Sequence, residues 1–231
     1  MDAQQMQYEF GIQLNQFDQA LELASDDIEY WLNKAQLDLV KEKFNGRNEL
    51  RKGFEQTPQM VEDLRVLVEK NYTEVAATDA ETTLDGYKFY QADLPSDLMF
   101  LLSIRAKVTS GAETKIKAVR FATQDTVYSL LDDPFNKSKK SSPLADINAY
   151  QVNIYTPTSG FTIGDVYINY IRTPREISIQ GEVDCELPNH LHKEIIQRAV
   201  DLFLYNTREL KQRLQRETPV ANTTQNRQTN E

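Results

Sequence analysis

Residues 185–214 read C-E-L-P-N-H-L-H-K-E-I-I-Q-R-A-V-D-L-F-L-Y-N-T-R-E-L-K-Q-R-L, a turn followed by one long helix in two chemically different halves. Pro188 ends any strand before it, and Asn189 suits an N-cap whose side chain bonds an amide in the first turn. Leu191, Ile195, Ile196, Ala199, Val200, Leu202, Phe203 and Leu204 spread over a surface wider than a one-sided helix needs. Beyond Asn206 only Leu210 and Leu214 remain, among Arg208, Lys211, Arg213 and Arg216. The first half is therefore expected in a core. The second is expected to leave it, projecting about 15 Å toward a partner.

Working outward, S-D-D-I-E-Y-W-L-N-K-A-Q-L-D-L-V-K-E-K-F-N-G (residues 25–46) predicts the other long helix. Asp26 and Glu29 are placed as a capping-box variant. Ile28, Trp31, Leu32, Ala35, Leu39 and Phe44 form the apolar face, with Asn45-Gly46 as the stop. A further helix is expected from about Pro58 to Val68. Residues 1–24 read as a Gln-rich arm in which Tyr8, Phe10, Ile12 and Leu14 alternate, so a short strand is expected there. Whether that arm packs on its own domain or a neighbour is open.

The middle of the chain is β-like. Tyr87–Phe89 suggests a strand, Asp97–Leu102 fits strand or helix, and Lys115–Phe121 alternates like one half-exposed strand. Thr123 or Asp125 caps a short helix carrying Val127, Leu130 and Leu131. Residues 132–149 form a long irregular loop with the basic run K-S-K-K-S-S, read either as a gripping loop or as a mobile surface loop. Strands follow at Val152–Tyr155, Phe161–Ile171 and Glu176–Ile179, the first two joined as a hairpin by P-T-S-G. The polar residues 218–231 are expected to be disordered unless bound.

Together with F-E-Q-T-P-Q-M-V-E-D-L-R-V-L-V (54–68), L-L-D-D-P-F-N-K-S (130–138) and Y-I-N-Y-I-R-T-P-R-E-I-S (167–178), these strings resemble the head–tail connector, or ring adaptor, proteins of tailed bacteriophages, those of crAss-like phages in particular. The likeness runs from about Tyr8 to about Arg213 and lies in the order of the elements. It implies a non-enzymatic virion protein, repeated as a dodecameric ring beneath the portal. Portal and neighbouring neck proteins would be its partners, and DNA would pass through the hole without sequence-specific binding.

On this reading the chain is α+β, with a helical core of long N- and C-terminal helices packed on a small antiparallel sheet, and extended terminal arms. Its parts are an arm (1–24), a connector domain (25–206), a projecting basic helix (207–217) and a polar tail (218–231). Arg208, Lys211, Arg213 and Arg216 are the expected docking residues, with Lys137, Lys139 and Lys140 as secondary contacts. The alternatives are another neck or tail-completion ring, or a soluble DNA-binding regulator using the basic helix.

The net charge of −9 argues against non-specific nucleic-acid binding, which needs a basic surface to displace counterions. It suits either a conduit that repels DNA or simple solubility. A single cysteine, Cys185, excludes an intrachain disulfide. No leader pattern opens the chain, and the longest apolar run, Leu98–Ile104, is far short of the roughly 20 residues that span a bilayer. Asp184, Cys185, Glu186, His190 and His192 are zinc-compatible types, but two histidines two apart on a helix diverge, so no metal is expected. Neither Walker nor Rossmann glycine patterns occur, no nucleophile motif accompanies the histidines, and no carboxylate pair stands out; no cofactor and no catalytic residue are expected.

Overall fold

The structure, a computed structural model, describes residues 1–16, 23–45, 58–84 and 86–217, with side chains over 1–16, 23–45, 61–76 and 86–208. Gly46 and the tail 218–231, each given a role above, lie outside the described residues. The chain is α+β. It divides into two compact units, Met1–Asp63 with Pro174–Glu231, and Leu64–Thr173. The sequence reading placed no boundary at either point.

The first unit is helical: α1 (Ala3–Asn15), α2 (Ser25–Asn45), α3 (Pro58–Leu64, its last residue across the boundary) and α5 (Asn189–Glu217). The expected strand at Tyr8–Leu14 is instead part of α1. Asp2 accepts from the Gln5 amide at 2.7 Å while the Gln5 side chain accepts from the Asp2 amide at 3.3 Å, a capping box that starts a helix. Ala3, Met6, Phe10 and Leu14, at three- and four-residue spacings, are buried, leaving Tyr8 and Ile12 outward. Period two in that string was a coincidence of which apolar residues were counted.

Helix α2 buries Ile28, Trp31, Leu32, Ala35, Leu39 and Val40, and packs against α5, which buries Leu191, Ile195, Ile196, Ala199, Val200 and Phe203. Trp31 and Phe203 meet edge to face, centroids 5.9 Å apart. The expected strand at 176–179 does not form; only an isolated bridge joins Ser178 and Val183. A polar stripe on α2 holds this segment instead. Asn33 donates to the Ile177 carbonyl at 2.9 Å and accepts from its amide at 2.7 Å. Gln36 donates to the Arg175 carbonyl at 3.0 Å. Glu29 accepts from the amides of Ile179 and Gln180, and Asp26 from the Gln180 side chain. Asp26 and Glu29 thus serve the returning chain, not the expected cap. Asn189 likewise accepts from the Met1 ammonium at 3.2 Å.

The second unit is two face-to-face sheets with one helix. Its strands are β1 (Val68–Val75), β2 (Ala77–Leu84), β3 (Tyr87–Asp93), β4 (Leu98–Ser110), β5 (Glu113–Ala118), β6 (Arg120–Phe121), β7 (Leu144–Asn148), β8 (Gln151–Pro157) and β9 (Thr162–Arg172). They pair in the orders β1-β9-β4-β5 and β2-β3-β8-β7-β6, antiparallel except for β6 with β7. This is more sheet than the single small one expected. Alternation along β4 and β9 puts Ile104, Ala106, Val108, Val166, Ile168 and Tyr170 into a core shared with Tyr90, Ala92, Val152 and Ile154 of the other sheet. Helix α4 (Gln124–Asp132) covers the outer face of the second sheet, where Val127 and Leu131 meet Leu144 and Tyr155. Thr123, at its N-cap, bonds the Thr126 hydroxyl at 2.9 Å.

Three connections depart from the expected pattern because the chain changes sheets. Val119 splits the predicted 115–121 strand: its amide bonds Ile104 of the first sheet, and the next amide, from Arg120, bonds Pro143 beside the second. Ala76 does the same between β1 and β2. The P-T-S-G turn joins β8 to β9, which lie in different sheets, so it spans the sandwich and makes no hairpin. The helix expected to reach Val68 ends at Leu64. A 3-10 turn then leads into β1, which runs beside β9 with Val68 opposite Ile171.

Asn33→Ala should remove both bonds to Ile177 and destabilise the helical unit by about 1–3 kcal/mol. Hydrogen exchange should show lost protection at the Ile177 amide and unchanged protection in β4 and β9.

Candidate functional site

The stretch read as irregular from 132 to 149 is shorter and more ordered than expected. Leu144–Asn148 is strand β7, between β8 and β6, which leaves residues 133–143 as the loop. Asp133 accepts from the Phe135 amide at 2.8 Å and from the Asn136 side chain at 2.6 Å. These bonds, the Phe135 amide first, hold its carboxyl below the usual carboxylate range. Arg120 donates to the Asn136 carbonyl at 2.7 Å, and Lys139 folds back onto the Phe135 carbonyl at 2.7 Å. Buried Ser138 donates to the Tyr155 carbonyl and accepts from the Leu144 amide at 3.1 Å. These six hydrogen bonds pin the loop, so its outward residues are held in place: Phe135, 84% exposed, with Lys137, Lys139 and Lys140.

Beside this loop runs β5, an edge of the first sheet. Lys115 lies opposite Val108 and Lys117 opposite Ala106, whose side chains are buried between the sheets. Cross-strand partners share a face, so both lysines stand on the inner face at the open rim of the sandwich. With Lys140 they line a cavity of about 240 Å³ that also includes Glu113 and Ser141. The Lys115 ammonium bonds the Glu113 carboxylate and, with Lys140 and Lys117, holds that carboxyl below its usual range. Ile116, on the outer face, is opposite Lys107, whose ammonium pairs with Asp165 at 3.0 Å. Sequence reasoning named Lys140 but missed Lys115, Lys117 and Phe135. The alternation of K-I-K was visible; which face it presented depended on the register with β4.

Of the basic residues on the last helix, Arg208 is exposed, and Lys211, Arg213 and Arg216 fall within α5 beyond the described side chains. The helix is continuous through Asn206, with the Thr207 hydroxyl donating to the Phe203 carbonyl at 2.9 Å. The structure brings Lys137, Lys139 and Lys140 together on one loop; they and the α5 residues belong to different units.

The zinc-compatible side chains near the start of α5 each engage a protein partner. Asp184 accepts from the Ala3 amide at 2.8 Å, Glu186 from Arg175, and Cys185 lies 3.4 Å from the Gln36 side-chain oxygen. His190 meets buried Asp63 at 2.7 Å, where Lys43 also binds at 3.3 Å. The Nε2–H of His192 donates to the Leu187 carbonyl at 2.8 Å. Among the described residues no three such groups converge on one point. Burial pushes the Cys185 thiol up to about 11, too high for a ready nucleophile.

Residues 1–213 match the family described as phage tail ring protein 3/4. The chain is similar to ring protein 3 of Bacteroides phage crAss001, at 27% identity over 224 residues, covering 87% of this chain and 94% of that protein. It is also similar to ring protein 4/5 of the same phage, at 31% identity over 191 residues, covering 74% of this chain and 78% of that protein.

Burial lowers the His192 pKa from its ordinary 6.5, so the folded state favours the neutral ring. The unfolded chain therefore binds a proton first as pH falls. Stability from this residue is complete above about 6.5 and declines below it. Denaturation midpoints measured between pH 7.5 and 5 should show that decline, and His192→Gln, which keeps a donor for Leu187, should flatten it.

Proposed function

Because the chain belongs to the phage tail ring protein 3/4 family, we propose that it is a structural protein of the virion of a crAss-like phage, assembled as a homo-oligomeric ring at the head–tail junction beneath the portal. The observation that carries this reading is the extent of the match, residues 1–213, which takes in both compact units. The copies number twelve, to match the portal, and the hole conducts the genome. Each copy offers one patch to a different patch on its neighbour, a head-to-tail contact that closes when the rotation per copy divides the circle. The pinned loop with Lys137, Lys139 and Lys140 serves such contacts, as does the end of α5 with Arg208, Lys211, Arg213 and Arg216. Charge-assisted hydrogen bonds to acidic neighbours supply the attraction. The chain's overall charge of −9 favours DNA passing rather than sticking.

The family's description as tail ring proteins supports a second placement, a ring further along the tail. Cross-linking in intact particles separates the two: contacts with the portal support the first and contacts with tail components alone the second. A soluble DNA-binding regulator is the reading from another class, and a salt-dependent gel shift with duplex DNA would favour it.

Native mass measurement of the purified chain, alone and with a portal, should give a discrete high-order assembly. Truncation after Asn206 should leave both units folded by circular dichroism yet fail to enter particles. A truncated chain that incorporates normally overturns the docking role of the α5 end.

A further inference from the structure

We propose that the lysine-lined rim of the sandwich, where β5 meets residues 140–141, is a socket for the acidic β2–β3 hairpin of a second copy of this chain. This rests on the ring reading above and names the surfaces that join its copies.

The socket's chemistry selects a carboxylate. Lys115, Lys117 and Lys140 converge on one cavity in which Glu113 is the sole acidic lining residue among the described residues. Glu113 occupies Lys115, while Lys117 and Lys140 have no carboxylate within ion-pair distance among the described residues. Two positive charges are left for an incoming group. Lys115 and Lys117 are inward-pointing on an edge strand, which discourages another strand from pairing along it. A partner therefore enters by side chains, not by extending the sheet.

The chain carries a suitable occupant. Residues 77–93 read A-T-D-A-E-T-T-L-D-G-Y-K-F-Y-Q-A-D, with Asp79, Glu81, Asp85 and Asp93 against Lys88 alone. Residues 77–84 form β2 and residues 87–93 form β3, and β2 is the outermost strand of the second sheet. Within one copy β2 lies at the far edge of the second sheet from the socket. Residues 139–142 adjoin β7 and β6 at the opposite end of the β2-β3-β8-β7-β6 order, four strand spacings or about 19 Å away. Two complementary patches at opposite ends of one sandwich, the hairpin at the β2 edge and the socket where β5 meets the loop beside β6 and β7, are what a head-to-tail contact between identical copies requires.

The test uses two full-length variants, Lys115→Glu/Lys117→Glu/Lys140→Glu and Asp79→Lys/Glu81→Lys, with native mass as readout and circular dichroism to check folding. Wild type should form the assembly, and each variant alone should lose it. An equimolar mixture should regain it, because each copy's socket then faces a hairpin of opposite sign. Folded variants that assemble like wild type, or a mixture that fails to, overturn the socket while leaving the ring reading intact. A wild-type chain that stays monomeric with and without a portal overturns the ring reading as well. If the triple variant assembles normally but loses a wild-type gel shift with duplex DNA, the socket is a phosphate site and the proposal fails.

Discussion

The helical unit depends on one stripe of polar side chains. Asp26, Glu29, Asn33 and Gln36 recur at spacings of three and four along α2; the last three bind the backbone of residues 175–180, and Asp26 holds the Gln180 side chain. That segment carries the chain back from the second unit to α5, with a single bridge as its only strand-like pairing. Its amides and carbonyls need partners nonetheless, since a buried backbone group left alone costs as much as a lost hydrogen bond. The stripe supplies them and so sets where Ile177, Cys185 and Leu187 are buried and where the last helix begins.

The same stripe explains the clearest failure of sequence reasoning. An Asp with a Glu three residues later at a helix start has a local reading, the capping box, and here a long-range one won. Helices α2 and α5 were visible because their apolar residues repeat over many turns, and that pattern survives any tertiary context. Strands β8 and β9 were visible for the related reason of dense β-branched and aromatic content. What sequence could not provide was pairing. A P-T-S-G turn serves a hairpin or a crossing between sheets equally well, and Val119 looks like any strand residue until its own amide and the next one are seen to bond on different sheets.

The candidate contact surfaces divide along the same line. The basic content of K-S-K-K-S-S and of the last helix was plain from composition, and the order of short strings along the chain carried the resemblance to phage ring proteins. The order of the loop was hidden, because it depends on a buried serine and on an arginine some sixteen residues upstream of the loop carbonyl it meets. Fixing a loop in advance lowers the entropy lost in any association, and exposed Phe135 and its flanking lysines are held in one place by these bonds. A charge of −9 spread over the whole chain and a local excess of lysine on one rim are compatible. The first sets the long-range field of the chain, whereas the second acts at contact.

The ladder between β1 and β9 has an evolutionary corollary. With Val68 directly across from Ile171, the point where the chain enters the β unit adjoins the point where it exits. A module whose ends meet can be traded as a cassette, replaced by a larger or smaller one while the flanking helices keep their own path. Proteins stacked along one tail can in this way share a common helical frame and differ in the module it carries.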